Sequence, residues 1–242
     1  MLLSVIIPTY NEEKTIREIV DRIKRVAIPK EIIMVDDGSK DSTPAILDEM
    51  KSAANLVPDT TNRLVVVHKK NGGKGSALKI GIEAAKGDII IFQDADLEYD
   101  PNDYQALLEP ILSGQVQITM GSRLVYKQNI WAKGTPTLRY FLNHLGVRLI
   151  NMLTNWLYWN RATDYEACYK AFRAAFIKSI PITADGFEID NEIVCKILRL
   201  GFEIKEVPIH YHPRSYEDGK KIRIRDGFKM LWVIIKWRFR KF

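Results

Sequence analysis

Two aspartates separated by one residue, Asp94 and Asp96, directly follow the apolar run Ile89-Ile-Ile-Phe-Gln93. Two carboxylates at this spacing attract a hard divalent cation, which keeps further coordination positions for water and substrate oxygens. Glu98 lies two residues further on and is a candidate third ligand. An isolated Asp-x-Asp pair is common, but this pair follows a strand-like run, so the sequence predicts a Mg²⁺ or Mn²⁺ site built from Asp94, Asp96 and Glu98.

Other polar residues directly follow apolar runs in the same half of the chain. Exposed turns explain some of them, since Gly, Ser, Asn and Asp are common turn residues. Carboxylates after two neighbouring buried runs favour a ligand site instead. The segments are Pro8-Thr-Tyr-Asn-Glu12, Asp36-Asp-Gly-Ser39, Lys69 to Gly75, Asp94-Ala-Asp96 and Gly121-Ser-Arg123.

The glycine-rich segment Asn71-Gly-Gly-Lys-Gly-Ser76 invites comparison with phosphate-binding loops. It does not fit the dinucleotide pattern G-x-G-x-x-G, because Leu78 stands where the last glycine belongs. It does not fit the nucleoside-triphosphate pattern either, because Lys74 is followed by Gly rather than Ser or Thr. A nucleoside triphosphatase and a nicotinamide enzyme are therefore disfavoured. A flexible strand-to-helix turn and direct backbone contact with a ligand both remain open.

The elements that must position these residues follow from hydrophobic periodicity. Residues 2–121 alternate short β-branched runs with longer amphipathic stretches, which predicts five strands joined by helical crossovers. The fold class is therefore α/β, with a Rossmann-like, mostly parallel sheet flanked by helices. Ligands bind such a sheet beyond the carboxyl ends of its strands, where the polar segments lie.

The alternation stops after residue 122. The spacing predicts one or two helices over Leu138 to Trp159, a strand around Ala167 to Phe172 and a helix from Glu188 to Leu200. An extended segment from Phe202 to His210 and a helix from Ile224 to Phe242 complete the chain. No linker separates two domains, so we expect a single domain over residues 1–242.

Composition narrows the function classes. The 242 residues are 46% hydrophobic and 27% charged, with no low-complexity tract, which excludes collagen-like and disordered chains. Cys168 and Cys195 are far apart, so neither a disulfide framework nor a zinc site is expected. No signal peptide or membrane span is predicted. Residues 209–242 hold ten Lys and Arg against three Asp and Glu, a basic tail suited to an anionic partner.

Four ordered segments resemble the family 2 glycosyltransferases of the GT-A fold: Ser4 to Glu12, Val35 to Ser42, Asn71 to Ala77 and Asp94 to Glu98. Three later segments are similar to the dolichyl-phosphate mannose synthase branch: Gly121-Ser-Arg123, Thr163 to Arg173 and Val207 to Lys221. The resemblance covers nearly the whole chain. It implies a nucleotide-sugar-binding half over 1–121, an acceptor-binding half over 122–223 and a basic amphipathic helix over 224–242.

The resemblance also implies residue roles. Asp96 holds the metal that bridges the donor diphosphate, and Glu98 stands where that branch often has Gln. A catalytic set of Asp96, Asp164 and Arg123 is implied. The donor-binding residues are Pro8, Tyr10, Glu12, Asp36, Asp37, Lys74 and Asp94, and the acceptor phosphate is bound by Arg123, Arg139 and Arg214.

The implied activity is transfer of a sugar from a nucleotide sugar to a polyprenyl or dolichyl phosphate, with inversion at the anomeric carbon. GDP-mannose is the favoured donor, and UDP-glucose or UDP-N-acetylglucosamine are alternatives. A phosphate monoester has a second pKa of about 6, so it is already a dianionic nucleophile near pH 7. Asp164 either orients or deprotonates the acceptor, or is simply a carboxylate at the start of a strand.

A lipid acceptor implies a peripheral location at the cytoplasmic face of a membrane. Leu138 to Trp159 and Phe228 to Phe242 are candidate interfacial helices, because both combine large apolar residues with Arg and Lys. Packing in a core or oligomer is the alternative, but for the tail, with Trp232 and Trp237, we favour the membrane. A separate membrane-anchoring subunit is a further possible partner.

Two other function classes remain. A glycosyltransferase acting on a saccharide or protein hydroxyl would need a general base, which a phosphate acceptor does not. A noncatalytic basic binding or scaffolding protein would use the tail alone. Nucleic acid is not expected as a partner, since Asp36, Asp37, Asp94 and Asp96 would repel its phosphates.

Overall fold

The computed structural model describes residues 1–56, 61–125, 137–213 and 224–242, with side chains throughout except at 137–144 and 224–225. The strands are β1 (Leu3–Thr9), β2 (Lys30–Asp36), β3 (Asn62–His68), β4 (Ile89–Phe92), β5 (Ile118–Ser122), β6 (Lys170–Arg173) and β7 (Ile204–Pro208). The helices are α1 (Ile16–Arg25), α2 (Thr43–Leu56), α3 (Lys74–Ala84), α4 (Tyr104–Leu112), α5 (Thr137–Tyr158), α6 (Ala174–Ser179), α7 (Ile189–Arg199) and α8 (Ile224–Phe239), and a 3₁₀ turn, Pro101–Asp103, precedes α4.

The strands form one sheet in the order β3-β2-β1-β4-β6-β5-β7. The first four strands run parallel, β6 runs antiparallel to both of its neighbours, and β7 pairs in parallel with β5. The predicted mostly parallel sheet flanked by helices is confirmed. The predicted strand around Ala167 to Phe172 begins later, at Lys170, and is the antiparallel member.

The core lies where the strands are covered on both faces. Every residue of β2 and of β4 is buried, as expected for parallel strands whose crossover helices cover both sides of a sheet. The carboxyl ends of β1, β2 and β4 consequently meet at one edge of the sheet. The polar segments after each of these strands gather at that edge.

A second apolar cluster joins the C-terminal helices. Ile150 and Tyr158 on α5 and Cys195 on α7 pack with one face of α8, formed by Met230, Val233, Ile234 and Trp237. The expectation that Trp237 lies in a membrane interface is therefore wrong: its side chain is only 4% exposed, because it falls in helical register with the packed face. None of the helices in the described ranges has the length and apolarity needed to cross a bilayer.

Candidate active site

The loops that follow β1 and β2 are bonded to each other at the carboxyl edge of the sheet. Asn11 has a positive φ of 50°, which Asn tolerates better than most residues. Its backbone N–H donates to Ser39 Oγ at 2.9 Å, and its side-chain oxygen accepts from the N–H of Lys40 at 2.8 Å. The backbone N–H of Glu12 donates to Thr43 Oγ1 at 2.9 Å. Pro8 and Tyr10 are half-buried on this joined surface.

Asp36 and Asp37 are both buried and hold the loops around them. Asp36 accepts from the backbone N–H of Ser39 at 3.0 Å and pairs with His68 Nδ1 at 3.0 Å. Asp37 Oδ1 accepts from Lys69 Nζ at 2.5 Å and from the N–H of Gly72, and Oδ2 accepts from the N–H of Gly73 at 2.7 Å. Asp37 thus fixes the glycine-rich segment to the end of β2, while Asp36 holds the loop after β2 and the end of β3.

The glycine-rich segment is also held from its other side. Gly73 has φ of 100°, and a Cβ atom there would lie 2.4 Å from the carbonyl oxygen of Asp185. A Cβ atom at Gly75 would lie 2.7 Å from the carbonyl oxygen of Ala184. The N–H of Ser76 donates to the Asp185 carbonyl at 3.1 Å. The segment is therefore a turn clamped between Asp37 and the loop that precedes α7.

The acidic pair after β4 lies beside a lysine of this turn. Lys74 begins α3, and its Nζ lies 2.9 Å from Asp94 Oδ1 and 3.7 Å from Asp190 Oδ2. Burial alone would lower the pKa of Lys74, but the Asp94 and Asp190 carboxylates raise it well above its ordinary value. Lys74 therefore carries a positive charge that balances Asp94.

Glu98, the predicted third metal ligand, has a hydrogen-bond partner of its own. Leu97 adopts a positive φ of 62°, which turns the chain after Asp96. The buried Glu98 carboxylate accepts a hydrogen bond from the Tyr211 hydroxyl at 3.0 Å. Among the residues that the structure describes, no three His, Cys, Asp or Glu side chains are grouped as for a metal ion. Asp94 and Asp96 still supply the hard carboxylate oxygens that suit Mg²⁺ or Mn²⁺.

Arg123, at the end of β5, is held by a buried carboxylate. Its Nε and Nη2 donate to the two oxygens of Asp164 at 2.7 Å each, and its backbone N–H donates to Oδ2 at 3.1 Å. Asp164 is fully buried. Burial would lower the pKa of Arg123, but Asp164 more than offsets this and raises it above its ordinary value. The pair is a preorganised guanidinium in a fork geometry.

Tyr211 lies between Arg123 and Glu98, the third acidic residue after β4. The guanidinium carbon of Arg123 lies 5.1 Å from the centre of the Tyr211 ring. The pKa of Tyr211 is raised, first by burial and then by the charge of Glu98, to which its hydroxyl donates. The arginine and the carboxylates after β4 therefore border one region. Arg214 lies outside the described residues, as does the side chain of Arg139, which is part of α5.

Two charged neighbours of the candidate site, Asp190 and Glu192, were not predicted from the sequence. Asp190, in the first turn of α7, faces Lys74 and also accepts from the fully buried Lys170 at 2.9 Å. On the same helix, Glu192 accepts from the N–H groups of Thr183 and Ala184 and so fixes the loop against the glycine-rich turn. The available signal was the run Asp190-Asn-Glu192 between apolar residues, since buried charges need partners.

Comparisons with known proteins match most of the chain to one family. A family model described as glycosyl transferase family 2 matches residues 4–179. A protein of unassigned function from Methanocaldococcus jannaschii is 30% identical over 96% of this chain and 90% of its own length. The UDP-N-acetylglucosamine--dolichyl-phosphate N-acetylglucosaminyltransferase of Methanococcus voltae is 28% identical over 99% of this chain and 97% of its own length.

A solved structure shares the fold. Glucosyl-3-phosphoglycerate synthase from Mycobacterium tuberculosis, crystallised with Mn²⁺, UDP and glucosyl-3-phosphoglycerate, superposes with a TM-score of 0.68 at 22% identity. The match covers 98% of this chain and 79% of that one. At this identity the likeness concerns the fold alone.

Proposed function

Because this chain belongs to glycosyl transferase family 2, we propose that it moves a sugar from a nucleotide sugar to a polyprenyl phosphate, with inversion at the anomeric carbon. The observation that carries the proposal is the placement of Arg123. Its buried guanidinium is fixed by Asp164 and lies against Tyr211, which also contacts Glu98 after β4. The full-length similarity to a dolichyl-phosphate glycosyltransferase supports the same acceptor class.

The donor side of the proposal uses the loops after β1, β2 and β4. Pro8, Tyr10 and Glu12 line the nucleoside pocket, and Asp36 and Asp37 form its floor. Since both Asp37 oxygens bind the glycine-rich turn, Asp37 shapes the pocket as well as contacting the nucleoside. Asp94 and Asp96 would hold Mg²⁺ or Mn²⁺, and Glu98, which accepts from the Tyr211 hydroxyl, is the third proposed ligand. When bound, the metal would neutralise charge on the departing diphosphate.

The acceptor side relies on arginine. We assign Arg123 to the lipid phosphate, where its remaining N–H donors would orient the dianion for attack, and we expect Arg139 and Arg214 to contribute. Both Asp164 oxygens accept from Arg123, so Asp164 acts as a positioning residue for Arg123 rather than as a base. A phosphate dianion needs no strong base, which agrees with this arrangement.

The membrane contact of the proposal falls on the exposed faces of α5 and α8. These helices pack on each other, yet six large side chains remain exposed: Met152 and Trp156 on α5, Trp159 directly after α5, and Phe228, Trp232 and Phe239 on α8. Arg238 lies 5.2 Å from the centre of the Trp159 ring and links the two helices. We call these six side chains the aromatic face. Large apolar groups beside cations suit the cytoplasmic surface of an anionic membrane, or an anchoring subunit.

Three nucleotide sugars are candidate donors. The sequence resemblance favours GDP-mannose, whereas the similar protein from Methanococcus voltae is named for UDP-N-acetylglucosamine. UDP-glucose is the third candidate. Residues 1–121 are proposed as the donor half and 122–223 as the acceptor half of a single domain.

The test is donor turnover with purified protein, Mn²⁺ or Mg²⁺ and a short polyprenyl phosphate, with the three donors in parallel. We expect glycolipid and nucleoside diphosphate to form in equal amounts from one donor, and neither to form without lipid. The variant Arg123→Gln should lose activity chiefly through a higher KM for the lipid. Nucleoside diphosphate release that depends on a water-soluble saccharide and ignores the lipid would contradict the proposal.

A further inference from the structure

Lys74 lies between two carboxylates that come from distant parts of the chain. Its ammonium is 2.9 Å from Asp94 Oδ1, after β4, and 3.7 Å from Asp190 Oδ2, on α7. The Lys74 side chain is mostly buried. Because its four-carbon chain is flexible, a buried ammonium with two carboxylates in reach can move from one to the other.

The Asp190 carboxylate also pairs with a second cation, Lys170. Asp190 Oδ1 accepts from Lys170 Nζ at 2.9 Å, and Lys170, fully buried, also donates to the carbonyl of Ala167 at 2.6 Å. Charges therefore alternate along Lys170, Asp190, Lys74 and Asp94, which we call the charge row. Two cations balance two anions in a region with little solvent, so an added cation at Asp94 would leave the row with excess positive charge.

We propose that Lys74 is an internal counter-cation that occupies Asp94 until a divalent cation binds there, and that Asp190 is the position to which its ammonium then shifts. The inference rests on the metal role of Asp94 and Asp96 in the proposed function. A metal ion and the ammonium compete for the same Asp94 oxygen, and their like charges repel. Asp190 lowers the cost of that displacement because it already faces the ammonium.

The proposal predicts that two substitutions change the affinity for Mn²⁺ in opposite directions when no nucleotide sugar is present. Lys74→Gln removes the competing cation and should tighten Mn²⁺ binding about tenfold, the scale of one unit charge a few ångströms away in a partly hydrated site. Asp190→Asn removes the alternative position and should weaken Mn²⁺ binding several-fold. In the double variant, Asp190→Asn should lose most of its effect, because it acts through Lys74.

The measurement is titration of Mn²⁺ against the full chain, with free Mn²⁺ followed by electron paramagnetic resonance and with nucleotide sugar and lipid left out. Asp96→Asn should abolish the binding and so locates it. Lys79→Gln is the matched control: Lys79 lies on the same helix, carries the same charge and pairs with Asp185 at 2.6 Å. Circular dichroism confirms that each variant is folded.

Tighter binding in Lys74→Gln, unchanged binding in Lys79→Gln and weaker binding in Asp190→Asn are the expected results. Equal affinities for the wild type and Lys74→Gln would overturn the inference, as would an Asp190→Asn effect that persists in the double variant. Absence of Mn²⁺ binding in both the wild type and Lys74→Gln would also overturn it. Since no sugar transfer is measured, the result stands apart from the donor and lipid experiment.

Discussion

Each of three buried cationic side chains in this protein is paired with a carboxylate. Arg123, Lys170 and Lys196 are buried cations, and each has a carboxylate within 2.9 Å. Burying a charge costs free energy that a pair recovers only with close, well-directed bonds. The exposed pair of Lys79 and Asp185 carries no such cost. Removing one partner should therefore lower the free energy of unfolding much more in a buried ion pair than in the Lys79–Asp185 pair.

Asp164→Asn should lower the free energy of unfolding by roughly 3 kcal/mol, because it leaves the Arg123 guanidinium buried without its countercharge. Asp185→Asn removes the same kind of group from a solvent-exposed pair and should cost no more than about 0.5 kcal/mol. Urea unfolding of both variants measures the difference. Similar losses for the two would contradict the account of Arg123 and Asp164.

His68 predicts a pH dependence of stability. Its hydrogen bond to Asp36 raises the pKa of His68 above the usual 6.5, burial opposes this, and Asp48 adds to the rise. A raised pKa means that the stabilisation is fully present below pH 6.5 and is lost as pH rises through the folded-state value. The stability difference between wild type and His68→Asn should therefore shrink from pH 6 to pH 9 in urea titrations. A constant difference would show that protonation of His68 is not involved.

At the scale of elements, the glycine-rich turn is fixed by backbone contacts on both sides. Asp37 binds its N–H groups, and the loop before α7 fills the space that a side chain would need. Glu192 holds that loop, and Lys196 bonds to Glu192 while lying 3.7 Å from the centre of the Trp237 ring. The turn thus depends on α7 and α8 as well as on the strand before it.

Gly73→Ala should weaken donor binding at least tenfold and destabilise the fold, because a methyl group would lie 2.4 Å from the Asp185 carbonyl oxygen. Gly114→Ala is the matched control: Gly114 also has a positive φ, of 78°, but nothing lies within 4 Å of the added atom. That change should cost only about 1–2 kcal/mol for the left-handed backbone. Calorimetric titration with nucleoside diphosphate and urea unfolding test both. Equal donor affinities would argue against the clamped turn.

Most of the strands, and the edge of the sheet where the polar residues gather, were predictable from the sequence. Strands β1, β2 and β4 are almost entirely buried and carry runs of β-branched and other apolar residues, and the sheet edge where polar residues gather follows from their parallel order. The direction of β6 was not predictable, since a four-residue strand contains no signal of its orientation. The pairing of Arg123 with Asp164, and of Lys74 with Asp190, depends on tertiary placement across long sequence separations.

At the scale of the whole molecule, the C-terminal helices have two different apolar faces. One packs into the second core cluster with α7, and the other is the aromatic face. From sequence both read as one amphipathic pattern, which is why Trp237 was assigned to the membrane although it is buried. The helical register, combined with where α5 and α7 lie, decides which tryptophan is available to a partner.

Trp232→Glu should reduce co-sedimentation with anionic liposomes at least several-fold while leaving urea stability within about 0.5 kcal/mol, because Trp232 is 64% exposed. Leu112→Glu, at an exposed leucine of α4 outside the aromatic face, is the control and should bind liposomes as the wild type does. Equal binding by the wild type and Trp232→Glu would rule out the aromatic face as the membrane contact.

The insertion of β6 between β4 and β5 also has a consequence for synthesis on the ribosome. Strand β5 is translated before β6 but has no neighbour in the sheet until Lys170 and the residues after it emerge. At about 5–20 residues per second, the interval from Ser122 to Lys170 lasts roughly 2–10 s. Throughout it, β4 has an open edge and β5 is unpaired, which invites association between nascent chains. Protection by chaperones should matter most in that interval.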